Sequence, residues 1–283
     1  MIIMQAVENQ SSGKLVVGIM YFSPSGNTKK VCEEVAKSIS PGPPIQVDVT
    51  KPSSNGSKPA DVDLWVIGAP VYSMRLPAIA RERISKALDK NGKKTPAVAV
   101  SVYGNVGMGI GLKQLVNLLS EKGYKVIGAG GFIGEHTLSK THGGDTPYSV
   151  GRPNDADMAV AKEFAAAVLK KGINGSDISS MEAIQAPKLS GMLARSDERG
   201  IKSFMGPFEL DQNKCNKCKI CVKTCPVNCI DDTIKFNTEN CIYCANCIKV
   251  CPTGAISQKN KHMWLLKLML RPDKVYNKPV FYT

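Results

Sequence analysis

Apolar residues along the first 170 positions follow two alternating patterns. Short, nearly continuous apolar runs are typical of parallel strands buried on both faces. They predict strands at Leu15–Phe22, Ile45–Val49, Leu64–Ala69, Ala97–Tyr103 and Val126–Ile133. Amphipathic stretches predict helices at Thr28–Ile39, Pro77–Asp89, Gly111–Lys122 and Asp155–Lys171. Five strands joined by crossovers predict an α/β domain with a doubly wound, five-stranded parallel sheet.

The pattern changes twice after this region. The stretch 172–206 loses the alternation and predicts a connector with one short helix near Met181–Ile184, whereas the segment from Phe208 to Ser257 is loop-rich and dense in cysteine. The predicted organisation is a first domain, a linker, a small α+β domain and a C-terminal extension with the apolar patch MWLLKLML, at 14–172, 173–206, 207–260 and 261–283. Within the first domain, Lys51–Ala60 is rich in Pro, Ser and Gly and predicts a loop or a single turn.

Nine of the ten cysteines lie between Cys215 and Cys251, where the chain repeats itself at an offset of 26 residues. Each unit reads C-x2-C-x2-C-x3-C-P. A tetrahedral zinc site would need only paired C-x2-C knuckles, so the third cysteine and the proline favour iron–sulfur clusters over zinc. Both units resemble two-cluster bacterial ferredoxins, in which the fourth cysteine of one unit binds the cluster of the other. The resemblance implies two [4Fe–4S] clusters, one held by Cys215, Cys218, Cys221 and Cys251 and one by Cys241, Cys244, Cys247 and Cys225.

Two further cysteines are not expected to be ligands. Cys229 aligns with Ala255 in the repeat and therefore occupies a packing position, although a spare ligand or redox thiol is the alternative. Cys32 has the helical spacing of a core residue.

The turn after the first strand carries hydroxyl groups and a glycine and opens a helix. Its backbone N–H groups and the helix dipole favour an anion. The turn has no lysine and no G-K-[ST], which argues against a nucleoside triphosphate and for a monophosphate bound by neutral donors. The candidate phosphate ligands are Ser23, Ser25, Gly26, Asn27 and Thr28.

This turn resembles the phosphate loop of flavodoxins, and two later loops extend the likeness. In flavodoxins the loops after the third and fourth strands enclose the isoalloxazine ring of FMN, and Tyr72 and Tyr103 are the candidates to lie against it. The resemblance implies FMN contacts from Pro70, Val71, Tyr72, Ser73, Met74, Tyr103, Gly104, Asn105 and Gly107. It also implies the strand order 2-1-3-4-5, with the flavin at the carboxyl edge of the sheet.

Together the two domains resemble the flavodoxin–ferredoxin fusion proteins of anaerobic bacteria and archaea. The resemblance implies an electron-transfer protein that couples one-electron [4Fe–4S] chemistry to FMN. The alternative is a ferredoxin-dependent flavin oxidoreductase, in which the FMN reduces a small molecule and receives electrons through the chain's own clusters; Glu135, His136 and His142 are its candidate substrate contacts. Arg75, just past the second loop, would stabilise an anionic reduced flavin.

The net charge of +13 indicates partners that are acidic. The basic residues are dispersed, which argues against nucleic acid and favours an acidic redox protein such as a ferredoxin or a reductase. The C-terminal patch predicts packing against the cluster domain, with peripheral membrane contact as the alternative. No signal-like or membrane-spanning pattern is present, so we expect a cytoplasmic protein; a homodimer is compatible with the sequence.

Overall fold

The predicted strands and helices form in the computed structural model of the chain, which describes residues 15–52, 61–88, 92, 94–104, 107–136, 149–180, 206–258 and 279–283. In the first domain the strands are β1 Val17–Tyr21, β2 Ile45–Asp48, β3 Leu64–Pro70, β4 Pro96–Tyr103 and β5 Lys125–Ile133. The helices are α1 Asn27–Ile39, α2 Ala78–Ala87, α3 Gly111–Glu121 and α4 Asp155–Lys171. The helix expected near Met181–Ile184 and most of the Lys51–Ala60 loop lie outside the described residues.

The five predicted strands form a parallel sheet in the order β2-β1-β3-β4-β5, as expected. Every residue of β3 is buried because helices cover both faces of the sheet. In one apolar cluster, alternate residues of the strands pack against α2 and α3. In a second cluster, the intervening residues of the strands pack against α1 and α4. The sheet is therefore doubly wound.

Helix α1 approaches β3 very closely at Gly68. A Cβ atom at this glycine would lie 2.2 Å from Cys32 Sγ and 2.8 Å from Thr28 Cγ2. Cys32 is fully buried in the core, as predicted. The contact fixes the first turn of α1, which follows directly on the candidate phosphate turn.

The sheet has a sixth strand that the sequence analysis did not predict. Strand β8, Val280–Tyr282, pairs antiparallel with β5, with Phe281 opposite Gly130. The Phe281 ring lies 5.6 Å from that of Phe164 in α4. The prediction of a five-stranded sheet was therefore incomplete, and the end of the C-terminal extension packs on the first domain. The apolar patch of that extension lies outside the described residues.

The start of the predicted linker also contacts β5. Ile178 is buried, and its backbone N–H donates to the Val126 carbonyl at 2.8 Å. The chain therefore contacts β5 before residues 206–258 and again after them.

The second domain is a small α+β unit around the cysteines. Strands β6 Phe208–Leu210 and β7 Ile256–Gln258 form an antiparallel pair, and the helices are α5 Ile220–Thr224 and α6 Asn246–Val250. Its core consists of buried cysteines and four apolar side chains. The apolar side chains are those of Phe208, Ile230, Ile234 and Ile256. Within the described part of the chain, no helix has the length and hydropathy needed to cross a membrane.

Removal of the Phe281 ring tests the sixth strand. We expect Phe281→Ala to lower the free energy of unfolding by about 1–2 kcal/mol, less than at a fully buried phenylalanine, since the ring is 39% exposed. Thermal unfolding monitored by circular dichroism measures this. Val280→Ala is the control, because Val280 is exposed to the same extent, and it should cost less than about 0.5 kcal/mol. Equal effects of the two substitutions would contradict a stabilising contact between the Phe281 ring and Phe164 of α4.

Candidate functional site

The turn between β1 and α1 places an open set of donors at the carboxyl edge of the sheet. Gly26 has φ +83°, a left-handed conformation that favours glycine, and its N–H donates to the Ser23 carbonyl at 3.1 Å. The Ser23 hydroxyl accepts from the N–H of Lys29 at 3.1 Å. Among the described residues, none accepts a hydrogen bond from the backbone N–H of Asn27 or Thr28.

The side chains of this turn are buried, although they are polar. Ser23, Asn27 and Thr28 are at most 9% exposed. Buried polar groups require hydrogen-bond partners, and the first amides of a helix attract an anion. The residues predicted to bind a phosphate group therefore fit one.

The loop after β3 is a tight hairpin that is held in a strained conformation. Tyr72 and Arg75 exchange two backbone hydrogen bonds, of 3.0 and 3.1 Å. Between them Ser73 has φ +56° and Met74 φ +65°, both unusual for residues with a side chain. The Met74 carbonyl accepts from the N–H of Ile110 at 2.8 Å. That anchor to the next loop helps to hold the strained turn in place.

The loop after β4 packs against this hairpin. A Cβ atom at Gly109 would lie 2.1 Å from the Met74 carbonyl oxygen, and one at Gly107 would lie 2.9 Å from Met74 Sδ. Tyr103 is buried beside Val71. The three predicted loops thus follow β1, β3 and β4 at one edge of the sheet, next to the point where the chain order reverses. Pro70 ends β3, and Asn105 lies outside the described residues.

His136, one of the three candidate substrate contacts, lies against the loop after β4. A Cβ atom at Gly104 would lie 2.2 Å from His136 Cδ2, so the imidazole packs directly on the loop after β4. Glu135 is half-buried, and its N–H donates to the Arg152 carbonyl at 2.9 Å. His142 lies outside the described residues.

Two cavities in the second domain separate the cysteines into the two predicted sets. The first cavity is lined by Cys215, Cys218, Cys221 and Cys251 together with apolar and polar residues. The second is lined by Cys225, Cys241, Cys244, Cys247 and also Cys229. Each set takes its fourth cysteine from the other unit of the repeat. Among the described residues no group of three or more His, Cys, Asp or Glu side chains is arranged to hold a single metal ion.

The backbone of the cysteine loops repeats along with the sequence. Lys217 and Lys219 have positive φ, as do their counterparts Tyr243 and Ala245, 26 residues later. Alternation of right- and left-handed residues turns successive N–H groups toward one point, an arrangement found at iron–sulfur sites. The amides of Lys217 and Tyr243 accordingly donate to cysteine sulfurs at 3.4 and 3.3 Å.

Burial makes the thiolate form of Cys244 and Cys247 unfavourable without a cation. Desolvation raises the pKa of Cys244 to about 12, and it raises the pKa of Cys247 further. Iron would supply the compensating positive charge, since metal coordination deprotonates thiols. The thiols thus fit the clusters that the motif implies.

Comparison with known proteins agrees with this geometry. Residues 18–105 match the model of the flavodoxin domain, and residues 208–231 and 234–257 match that of the 4Fe-4S binding domain. The chain joins a flavodoxin domain to two 4Fe-4S binding motifs. This combination matches a flavodoxin–ferredoxin fusion, and it makes the chain an electron-transfer protein that uses flavin and iron–sulfur chemistry.

Solved structures similar to the flavodoxin domain include a flavodoxin from the domain Archaea, with 14% identity, a TM-score of 0.38, and coverage of 56% of this chain and 99% of the other. Another is the rubredoxin oxygen:oxidoreductase of the anaerobe Desulfovibrio gigas, with 16% identity, a TM-score of 0.38, and coverage of 56% and 37%. Among curated proteins no sequence matches the chain.

The second unit of the 4Fe-4S module, residues 241–251, lies against the flavodoxin domain. Lys249 Nζ in α6 donates to the Ser25 carbonyl of the phosphate turn at 2.7 Å. Ile242 packs on the core cluster of the sheet. Burial, with a smaller contribution from the nearby Cys244 thiol, raises the pKa of Tyr72. The sequence analysis missed this contact, because Lys249 has a counterpart in the first unit, Lys223, and nothing in the motif distinguishes the two.

Cys229 lies closer to the ligand cysteines than its packing position suggested. Its sulfur is 3.5 Å from Cys225 Sγ, and its N–H donates to the same sulfur at 3.4 Å. The thiol is buried and lines the second cavity. It is therefore a neighbour of that cysteine set.

Pairs of cysteine substitutions test the crossed ligand sets. In Cys218→Ala/Cys251→Ala both losses fall on the first set, so we expect one cluster, or about four irons per chain, to remain. In Cys247→Ala/Cys251→Ala the losses fall on both sets, so both clusters should be lost. Iron content and EPR of the anaerobically reconstituted proteins measure this. The opposite ranking would mean that each unit holds its own cluster.

Proposed function

We propose that the chain is an internal electron relay in which one FMN and two [4Fe–4S] clusters couple one-electron to two-electron carriers. Bound flavin would exchange electrons in pairs or singly, and the clusters would exchange one at a time. The single observation that carries the proposal is the contact of the 241–251 unit with the flavodoxin loops, since electron transfer weakens steeply with distance.

FMN is the flavin that best suits the phosphate turn. Its donors are neutral hydroxyl, amide and backbone N–H groups, which suit one terminal phosphate. The strained Tyr72–Arg75 hairpin and the loop at Gly104 would bind the ring, with Tyr72 and Tyr103 as the aromatic side chains against it. These residues position and shield the ring, while Ser23, Asn27 and Thr28 bind the phosphate.

The two cysteine sets differ in their exposure to solvent, and this difference suggests the order in which electrons pass through them. Cys244 and Cys225 of the second set are buried, and three of its four cysteines belong to the unit that touches the flavodoxin domain. Cys218 of the first set is exposed, and Ile220 beside it is 38% exposed. We infer that the first set faces the external partner and the second set faces the flavin.

The surface around the first set is weakly basic, with three lysines against two aspartates. Lys214 and Lys219 form exposed ion pairs with Asp211 and Asp232, which are worth little energetically, and Lys217 is exposed between them. A basic rim steers acidic proteins toward the site. An acidic one-electron carrier is therefore the proposed external partner.

The relay order can be tested with the cysteine pairs. We expect Cys218→Ala/Cys251→Ala, which removes the first set, to abolish the reduction of bound FMN by a reduced acidic ferredoxin. Dithionite, a small reductant that needs no docking surface, should still reduce the flavin. Stopped-flow absorbance of the reconstituted chain measures both reactions. Unchanged reduction by the ferredoxin would show that electrons enter elsewhere.

Substitution of Arg75 tests its effect on the flavin. We expect Arg75→Ala to make the midpoint potential of bound FMN about 30–60 mV more negative, since a lost cation destabilises the anionic reduced form and 59 mV corresponds to a tenfold change in a one-electron equilibrium. Potentiometric titration measures the shift. Arg81→Ala, on the exposed face of α2, is the control, and a shift common to both variants would contradict a local role for Arg75.

A further inference from the structure

Lys249 brings a positive charge from the 4Fe-4S module to the phosphate turn of the flavodoxin domain. Its Nζ atom lies 2.7 Å from the Ser25 carbonyl oxygen, in the middle of the turn. The two residues are 224 positions apart in sequence. The turn itself, from Ser23 to Thr28, contains no basic residue.

Lys29, the first of two lysines that follow the turn, is directed elsewhere. The ammonium group of Lys29 lies 5.7 Å from the centre of the Tyr21 ring and 3.8 Å from a Glu33 carboxylate oxygen. Lys29 is partly neutralised by that carboxylate. Lys249 is therefore the cation for which the structure gives a direct contact with the backbone of the turn.

We propose that Lys249 is the cation of the FMN phosphate site, so that the 4Fe-4S module completes the flavin site of the other domain. This inference rests on the proposed binding of FMN. The Asn27 and Thr28 amides and the Ser23, Ser25 and Thr28 hydroxyls supply neutral donors, whereas a phosphate group carries between one and two negative charges at neutral pH. An ammonium group held at the turn offsets that charge, and charge-assisted hydrogen bonds are about twice as strong as neutral ones.

The internal repeat provides a matched control. Lys223 is the counterpart of Lys249 in the first unit, in the last turn of α5, as Lys249 is in the last turn of α6. Lys223 is exposed and belongs to the unit that carries the first cysteine set. Its substitution changes the net charge and the helix end in the same way but leaves the phosphate turn intact.

The affinities for two flavins distinguish a cation at the phosphate from a hydrogen bond that only holds the two domains together. A hydrogen bond that only holds the module in place would affect every flavin that binds the loops. A cation at the phosphate affects FMN but not riboflavin, which has the same ring and no phosphate. The substitutions are Lys249→Gln, Lys249→Arg and Lys223→Gln.

The experiment titrates FMN and riboflavin into the full-length, cluster-loaded chain after flavin removal, under anaerobic conditions, with fluorescence quenching as the readout. We expect Lys249→Gln to weaken FMN binding roughly three- to tenfold and to leave riboflavin binding unchanged. The expected effect is at the lower end for a charge-assisted hydrogen bond because Lys249 is exposed to solvent. Lys249→Arg should retain most of the FMN affinity, and Lys223→Gln should match the wild type. Iron content confirms that each variant holds its clusters.

Three results would overturn the proposal. They are unchanged FMN affinity in Lys249→Gln, equal losses for FMN and riboflavin, and the same loss in Lys223→Gln. If instead the wild-type chain binds riboflavin as tightly as FMN, the turn holds no phosphate, and the proposed FMN relay fails as well.

Discussion

The close packing of α1 on β3 at Gly68 is the constraint on which the redox sites depend. With no side chain on Gly68, Cys32 and Thr28 sit directly on the strand, so the start of α1 has one position relative to the sheet. That position fixes the location of the phosphate turn. The Ser25 carbonyl of this turn accepts a hydrogen bond from Lys249 of the 4Fe-4S module. A larger residue at 68 would have to move α1, because buried interiors are close-packed and shift as units.

Local patterns were sufficient to predict the elements and the cysteine sets. The strands β3 and β4 lie between neighbours on both sides, and their unbroken apolar runs reflect that burial directly. Helix α4 begins at a capping box formed by Asn154 and Asp157, and its predicted bounds match the observed ones. The four-cysteine sets implied by the resemblance to two-cluster ferredoxins line the two cavities, and Cys229 lines the second cavity as a fifth cysteine.

Features that depend on distant residues could not be predicted in the same way. Strand β8 is three residues long and partly exposed, so it has too few alternating positions to be recognised. Ser73 and Met74 adopt left-handed conformations that their residue types do not indicate, since the neighbouring loop rather than local preference holds them. Lys223 and Lys249 are equivalent within the motif, and tertiary structure alone brings one of them to the flavodoxin domain.

Because the chain contacts β5 both before and after the 4Fe-4S module, this module is an insertion in the flavodoxin domain rather than an addition to its end. The chain leaves the flavodoxin domain after Ile178 bonds to Val126, and it returns to the same strand through β8. A module tethered at both ends explores a smaller volume than one on a single linker, so its effective concentration at the flavodoxin loops stays high even when the contact opens. In the proposed relay, this arrangement favours exchange of electrons within one molecule over exchange with free ferredoxins. It also means that a break in either connection leaves the module attached through the other.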